Sequence, residues 1–462
     1  MSSDLLSQRR IILWCPYVHW HIAPTIASKV LGQMGSCKYQ WFQRIIAKYR
    51  DNIYVYCDTQ LTSMVHYYGD ILRHIEDSAL RKEITLAEAL RWNEMNDFQI
   101  DRGHFINRPS DIKTDDVIFT FSTHFLDNPI TDASRQADLF QVFSRDDVFK
   151  VAHLTHYVFG LGNLAANLKL FNVQMLCYES NLAKYRFFKR HIPHVKSVAL
   201  IPFAVQDRFK PRRTFDERLN KCVATGGISL HKISPALMEF FFEYSCNNFY
   251  PLRVFLAENA GAVSDYIHVR MGLYETAMKE AMTSSFSQPS RWRELVNLPT
   301  CEIVKIDSGK KISYYSQDIV ATYNQYRFSY ASDEIYHAPA LGFFESMACG
   351  AIPIGIEDDI YRDIGLVKNV HYLPFDGSFG GLMTTIVQAQ ANPDSVRHIP
   401  AQNEKLIGNF SEQRVSELFI ERLTRELQAW CSSRGRRSQA RQAAPAGEEK
   451  MNPAAALASV AN

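Results

Sequence analysis

Short apolar runs recur along the chain, and each of them ends in a polar or histidine-bearing tip. In the first half, these runs predict strands at residues 11–15, 53–57, 117–121, 148–154, 173–178 and 197–202. Compact apolar runs of this kind are typical of strands buried on both faces of a parallel sheet. Because parallel strands need crossover connections, which are usually helical, the pattern predicts an α/β domain.

A second series of the same kind follows a polar stretch at residues 206–213. Its predicted strands are residues 221–225, 252–257, 301–306, 327–331, 351–356 and 371–374, and its predicted helices are residues 263–298, 318–323 and 410–430. We therefore expect an α/β protein with two Rossmann-like, doubly wound domains that face each other across a cleft, at residues 1–205 and 206–430. Residues 431–462 are dominated by Arg, Gln, Ala, Pro and Gly, which predicts a disordered tail.

The most informative stretch is residues 326–359, which predicts a strand, a helix and a second strand. Pro339 suits the first turn of the helix, and Gly350 suits its end. The loop at residues 336–338 would then present backbone N–H groups to an anion, although most crossover helices bind nothing. Glu345 lies inside the apolar helix, and a buried carboxylate needs either a structural base or a bound ligand as its partner.

Two further patterns are candidates for chemistry. Gly226 and Gly227 end a predicted strand and are followed by Lys232, which could reach a diphosphate or could simply be a solvated residue after a tight turn. His124 and His156 lie at predicted strand ends, where ligands of parallel sheets bind. Either histidine could act as a general base, or could be an ordinary surface or core residue.

Composition narrows the class of protein. A chain of 462 residues favours two domains, and a net charge of +2 gives no reason to expect nucleic acid as a partner. No apolar run approaches the roughly 20 residues that a membrane span needs. The cysteines show no metal-binding spacing, and those in apolar runs indicate reduced core residues of a cytoplasmic protein, namely Cys15, Cys57, Cys177 and Cys222.

Residues 181–196 combine basic and aromatic side chains without any acid. Such a face could lie on an anionic bilayer or meet an acidic acceptor, or it could be a solvated helix rim. Peripheral contact with the inner face of the membrane is therefore an open alternative.

The segment FFESMACGAIPIGIEDD, at residues 343–359, resembles the signature of GT-B fold glycosyltransferases of the large group 1 class, in which a Glu opens a Glu-Ala-Met-Ala-Cys-Gly-x-Pro run. Other segments are similar to that class in the same order, and together they cover about residues 11–430. They are the strand ends at 117–124 and 151–156, the interdomain stretch at 200–211, Gly226 with Lys232 of a "GRLxxxKG" loop, and Phe410 with Ser411.

The resemblance implies a nucleotide-sugar bound by the second domain and a glycan or lipid-linked acceptor bound by the first. Glu345 would bind the ribose hydroxyls, and Lys232 would neutralise the diphosphate. The remaining contacts with the nucleotide-sugar would come from Gly226, Gly227, Leu341 and Gly342. His156 would lie near the transferred sugar, with His124 and His337 as further catalytic candidates. Such enzymes need no metal and no cofactor besides the nucleotide-sugar.

Several positions depart from the family pattern. His337 stands where the family has a second Glu, eight residues before Glu345, and Gly227 stands where it has an Arg. Phe203 and Ala204 replace the usual Asn-Gly. These departures place the chain in a divergent branch and leave the sugar, and retention or inversion at the anomeric carbon, undetermined.

The function expected from the sequence is sugar transfer to a polysaccharide or lipid-linked glycan, in cell-surface glycan synthesis. The alternatives are another GT-B enzyme, such as a nucleotide-sugar epimerase, and a non-catalytic protein that binds sugar nucleotides.

Overall fold

A computed structural model describes part of the 462-residue chain. The described residues are 5–14, 39, 41–56, 104–106, 108–120, 137–154, 161–228, 250–274, 302–306, 318–333 and 337–443.

The first half contains one parallel sheet in the strand order β3-β2-β1-β4-β5-β6-β7. Its strands are β1 (Ile11–Leu13), β2 (Ile53–Tyr56), β3 (Phe105–Ile106), β4 (Val117–Thr120), β5 (Phe149–His153), β6 (Met175–Tyr178) and β7 (Ser197–Leu200). The helices described in this half are α1 (Phe42–Lys48), α2 (Ala137–Phe143), α3 (Leu161–Leu170) and α4 (Arg186–His191). The order reverses between β1 and β4, which is the arrangement of a Rossmann fold.

The second half contains a parallel sheet in the order β10-β9-β8-β11-β14-β15, which repeats the same topology. Its strands are β8 (Leu219–Ile228), β9 (Ile267–Tyr274), β10 (Glu302–Ile306), β11 (Tyr326–Tyr330), β14 (Ile352–Ile356) and β15 (Leu373–Phe375), and a small antiparallel hairpin is formed by β12 (Ser332–Asp333) and β13 (Ala338–Pro339). The described helices are α5 (Pro251–Glu258), α6 (Ala260–Val263), α7 (Ile319–Gln325), α8 (Leu341–Ala348), α9 (Asp359–Asp363), α10 (Phe379–Ala391), α11 (Ile399–Ile407) and α12 (Glu412–Ala443). Two Rossmann-like parallel sheets with interleaved helices confirm the predicted fold class.

Two predicted elements are wrong. Residues 252–257 form helix α5 instead of a strand, because Leu252 and Leu256 are buried at helical spacing while Phe255 is 40% exposed. The region predicted as a helix from residue 263 contains strand β9, in which Ile267, Val269 and Met271 are buried in strict alternation.

Pro339 does not begin a helix. It lies in β13, and helix α8 begins two residues later, at Leu341. Because proline fixes φ in a range that extended strands also accept, the residue fits this short edge strand as well as a first helical turn. Gly350 ends helix α8 with φ +80°, as predicted.

Helix α12 returns from the second half and completes the core of the first. The crossing is marked by the paired residues Val205 and Ser411. The Phe419 side chain is fully buried, and its ring centroid lies 5.3 Å from that of Trp41 and 5.4 Å from that of Phe119. The amphipathic helix predicted for residues 410–430 therefore belongs physically to the first sheet.

Helix α12 also continues through residues 431–443, which composition had placed in a disordered tail. The extension is fixed to the first half because Arg434 forms an ion pair with Asp115, and its guanidinium carbon lies 4.6 Å from the Trp430 ring centroid. Residues 444–462 lie outside the described residues, and the domain boundaries stay a prediction.

A buried lysine ties the helices of the first half to its sheet. Lys150 of β5 is fully buried, and its ammonium group donates to the carbonyl oxygens of Phe143, Arg145 and Phe171 at 2.8, 2.7 and 2.5 Å. These carbonyls lie at and just after the ends of α2 and α3. Burial lowers the pKa of Lys150 to about 8.

Two of the four core cysteines can be placed. Cys177 and Cys222 are buried and free, as predicted, whereas Cys15 and Cys57 lie outside the described residues. Burial raises the pKa of both described thiols, so they are inert as nucleophiles.

Candidate functional site

Helix α8 begins at the carboxyl edge of the second sheet, directly after the β12–β13 hairpin. Its second residue, Gly342, is packed so closely that an added Cβ would lie 2.6 Å from the Tyr323 hydroxyl and 3.1 Å from the Ala331 Cβ. The Tyr323 hydroxyl in turn lies 2.9 Å from the Oγ1 of Thr225 in β8. The first turn of α8, with the half-buried Leu341, therefore rests near the end of β8, where the strand order reverses.

Glu345 projects from this helix and is only 5% exposed. Arg208, from the stretch that joins the two halves, supplies an opposite charge close by: burial lowers the pKa of Arg208, and the charge of Glu345 acts in the opposite direction. The Arg208 Nε donates to the Gln206 side chain at 2.8 Å. Burial raises the pKa of Cys349 to about 12, and the charge of Glu345 adds to that shift. The opposite charges of Glu345 and Arg208 therefore act on each other where the chain crosses between the two sheets.

A second arginine fixes the far end of helix α8. Arg218 is buried, and its guanidinium donates to the carbonyl oxygens of Cys349 at 2.6 Å, Tyr323 at 3.0 Å and Arg213 at 3.0 Å. Cations bind favourably at helix C-termini, where carbonyl groups lack helical partners. Arg218 thus fixes the ends of α7 and α8 relative to each other, and this in turn fixes the position of Glu345 on α8.

The predicted glycine pair lies near the end of β8. Gly226 has φ +130°, and an added Cβ would lie 2.8 Å from the guanidinium carbon of Arg253 in α5. The Nη1 of Arg253 donates to the Gly227 carbonyl oxygen at 3.2 Å. Lys232, the cation predicted to follow this pair, lies outside the described residues.

His337 lies in the turn between β12 and β13, with φ +48°. Its Nδ1 is 3.5 Å from the Oδ2 of Asp358, which caps α9 by accepting from the backbone N–H of Ile360 at 2.9 Å. Burial alone would raise the pKa of Asp358, but the hydrogen bond from His337 holds it below its usual value. His337 is therefore held by the acidic turn after β14, and its catalytic role stays a prediction.

The same region is where the two halves of the chain meet. Ala338 and Ile360 pack in the core cluster of the first sheet. Lys184, from the basic stretch of the first half, forms an ion pair with Asp363 at 2.8 Å. His337 consequently lies next to the contact between the two halves.

The two catalytic histidines predicted in the first half, His124 and His156, lie outside the described residues. The strands that precede them in the sequence, β4 and β5, are parallel neighbours, so the carboxyl ends of these strands share one edge of the sheet. At that edge the fully buried His153 ring lies 4.6 Å from the Tyr39 ring, and the Tyr39 hydroxyl donates to the buried Glu179 at 2.5 Å.

Two of the arginines at the site were not found by sequence reasoning. Arg253 is the one charged residue in the apolar run at 252–257, and a lone charge in such a run could have indicated a buried functional group. Arg208 lies in the interdomain stretch, where its proximity to Glu345 depends on how the chain crosses between the sheets. The structure places Gly342 against Thr225, the residue before Gly226, and Glu345 follows Gly342 by three residues on the same helix.

The described residues contain neither a membrane-spanning helix nor a cluster of metal ligands. Among the helices in those ranges, none combines the length and the hydropathy that crossing a membrane requires. The same ranges contain no group of three His, Cys, Asp or Glu side chains that could hold a metal ion.

Among known proteins, the chain is similar to solved structures at low sequence identity. Neither a protein-family model nor a curated protein sequence matches it. Among solved structures, it is similar to Anabaena HepE in complex with UDP-glucose, with 11% identity and a TM-score of 0.49 over 90% of this chain and 99% of that one. It is also similar to a sucrose-phosphate synthase from Thermosynechococcus elongatus, with 13% identity and a TM-score of 0.47 over 91% of this chain and 99% of that one.

A third similar structure is a glycosyltransferase from Rickettsia africae, with 12% identity and a TM-score of 0.42 over 91% of this chain and 99% of that one. All three TM-scores are below 0.5, and similarities of this size do not indicate an activity, which has to be inferred from the residues of the site.

Proposed function

We propose that the chain is a glycosyltransferase that moves a sugar from a nucleotide-sugar to a polysaccharide or lipid-linked glycan acceptor, in cell-surface glycan synthesis. The observation that carries the proposal is Glu345, a buried carboxylate on the helix that follows the central strand β11. Ligands of doubly wound sheets bind at the point where the strand order reverses, and helix α8 begins there.

In this function, Glu345 accepts hydrogen bonds from two neighbouring ribose hydroxyls of the nucleotide. Arg208 offsets the cost of burying the carboxylate, so that Glu345 stays in place while the site is empty. Gly226 and Gly227 let the diphosphate approach the backbone, and Lys232 neutralises its charge. The departing diphosphate is then stabilised by fixed positive groups, and we expect transfer without a metal ion or an added cofactor.

The acceptor binds the carboxyl edge of the first sheet. His156 and His124 follow adjacent strands there, and either could take a proton from the acceptor hydroxyl. The Tyr39 hydroxyl and the Glu179 carboxylate form a buried hydrogen bond near the carboxyl ends of these strands. His337 lies at the contact between the halves and is the third catalytic candidate.

The test is hydrolysis and transfer with UDP-, GDP- and ADP-sugars, comparing the wild-type chain with Glu345→Gln. Losing an anionic acceptor for two ribose hydroxyls costs about 1.5–3 kcal/mol per hydrogen bond, so we expect nucleotide-sugar binding and turnover to fall at least tenfold. Glu357→Gln is the matched control, because Glu357 is 53% exposed and pairs with Lys368 at the surface. Equal turnover by Glu345→Gln and wild type would remove Glu345 from the site.

A non-catalytic binding protein is the second candidate, because His337 replaces the family Glu and is held by Asp358. Binding of a nucleotide-sugar without any release of nucleotide, with or without acceptor, would favour this reading. An epimerase would instead give an altered sugar nucleotide in the absence of acceptor.

We also propose a cytoplasmic location with peripheral contact with an anionic membrane. In the basic stretch, Phe188 and Ile192 are buried while Arg186, Lys189 and Arg190 are exposed. Binding would therefore be mainly electrostatic and would weaken with salt. Sedimentation with phosphatidylglycerol vesicles at low and high salt tests this, and equal binding to neutral vesicles would contradict it.

A further inference from the structure

Arg253 is a buried cation near the carboxyl end of strand β8, at the edge of the second sheet where the nucleotide-sugar is proposed to bind. It lies in the first turn of helix α5 and is only 6% exposed. Arginine is seldom buried, because removing a charge from water is costly unless charged or polar groups receive it. The groups that contact its guanidinium therefore determine its position.

The guanidinium occupies the space that a side chain at residue 226 would need. Its Cζ and Nη1 both lie 2.8 Å from the position of an added Cβ on Gly226, and its Nη1 donates to the Gly227 carbonyl oxygen at 3.2 Å. The Tyr250 ring supports its face, with the Cζ 4.3 Å from the ring centroid. A glycine at position 226 is thus the condition for a guanidinium to lie against the end of β8.

This geometry bears on one departure of the sequence from the family pattern. The resemblance expects an arginine beside Gly226, and this chain has Gly227 there. The structure brings a guanidinium to the same short segment of backbone from another element, helix α5.

The surroundings of β8 indicate what this guanidinium meets. Successive residues of a strand face opposite sides of a sheet. Thr225 lies towards α7 and Gly342, whereas Gly226 lies towards Arg253. The first turn of α8 and the guanidinium therefore flank the end of β8 from opposite faces, at the crevice where a doubly wound sheet binds phosphate groups.

We propose that Arg253 binds the diphosphate of the nucleotide-sugar through its guanidinium group, in place of the arginine expected beside Gly226; this rests on the proposed function. A planar guanidinium can donate two parallel hydrogen bonds to phosphate oxygens. The Gly227 carbonyl and the Tyr250 ring hold the fork in a fixed orientation before the ligand arrives.

The test is calorimetric titration of the full chain with UDP, GDP and ADP, and with uridine, guanosine and adenosine. Arg253→Gln should weaken binding of the diphosphate by roughly 10- to 150-fold, and leave binding of the matching nucleoside within about twofold. Arg253→Lys keeps the charge without the fork, so it should fall between the two. Arg213→Gln removes an exposed positive charge from the same half and should bind like wild type.

Four results would overturn the inference. Unchanged diphosphate binding by Arg253→Gln would remove Arg253 from the ligand, while the proposed function would stand if the wild type binds a diphosphate. Equal weakening for diphosphate and nucleoside would mean that Arg253 only shapes the backbone. Failure of the wild type to bind any of the three diphosphates would overturn both proposals. If Arg253→Gln does not fold, Arg253→Lys decides, and diphosphate binding equal to wild type would again overturn the inference.

Discussion

Gly342→Ala is the substitution whose consequence follows most directly from the geometry of the site. The added Cβ would lie 2.6 Å from the Tyr323 hydroxyl and 3.1 Å from the Ala331 Cβ. Contacts shorter than 3 Å between such atoms require something to move. Tyr323 has little room to do so, because it is only 2% exposed and its hydroxyl lies 2.9 Å from the Thr225 Oγ1.

The expected cost combines two effects. Overpacking a filled core by one methyl group costs about 1–3 kcal/mol. If the Tyr323 hydroxyl swings away, the loss of its hydrogen bond adds about 1 kcal/mol. For a folding unit of about 150–250 residues, each kcal/mol lost from the free energy of unfolding lowers Tm by roughly 2–4 °C. The combined loss of about 1–4 kcal/mol should therefore lower Tm by about 2–16 °C. Nucleotide binding should weaken too, because the first turn of α8 is displaced from β8.

The assay is thermal unfolding of four chains: wild type, Gly342→Ala, Tyr323→Phe and the double variant. Tyr323→Phe removes the atom that clashes first, so the double variant should be more stable than the sum of the two single effects, by about 0.5 kcal/mol or more. Gly408→Ala is the control, since nothing lies within 4 Å of its added Cβ and its φ is −57°. A Gly342→Ala chain as stable as wild type, or strictly additive penalties, would refute the packing account of α8.

Further predictions concern the first half of the chain. Lys150→Met should strongly destabilise the chain, because it leaves three buried carbonyl oxygens without a hydrogen-bond donor, at a cost of about 1–3 kcal/mol each. Lys113 is exposed, so the control Lys113→Met should have little effect; urea unfolding measures the stability of both variants. Burial lowers the pKa of Lys150 from 10.5 to about 8, so between these pH values the unfolded chain binds more protons than the folded chain. The stability of the wild type should therefore rise with pH from about 8 to 10.5. An equal rise in the stability of Lys150→Met would contradict the assignment of this pH dependence to Lys150. Phe419→Ala should cost about 3–5 kcal/mol, measured by the same unfolding assay, because the ring is fully buried between α1 and the first sheet, and the exposed Gln428→Ala should be near neutral. A Phe419→Ala chain of wild-type stability would mean that α12 is not part of the first core.

The sequence predicted those site residues that are recognisable from the helix or strand in which they lie. Glu345 was conspicuous because it is a lone carboxylate in an apolar helix, and Gly350 ends that helix as expected. Arg253 was not predicted, because the run around it has the composition of a strand and the structure is a helix. Only the tertiary structure relates it to the predicted glycine pair, through the close approach of its guanidinium to Gly226 and its hydrogen bond to the Gly227 carbonyl oxygen.

His337 illustrates the same limit. Its spacing from Glu345 matched the position of a family carboxylate, and the sequence offered no partner for it. The structure supplies Asp358, which lies beyond the following helix and strand. Contacts of this kind depend on how two loops are placed in the tertiary structure, and the local sequence pattern of either loop does not predict that placement.

The sequence by itself determined the α/β class of the protein, although it exchanged helix α5 and strand β9 in the second half. It did so because burial on both faces of a parallel sheet imposes compact apolar runs on the strands. The tertiary structure alone decided that helix α12, at the end of the chain, completes the first core, and that arginines from two distant segments lie near Glu345 and against Gly226. These are contacts between residues far apart in sequence, and their energies come from packing and charge in three dimensions, which neighbouring residues in the chain do not encode.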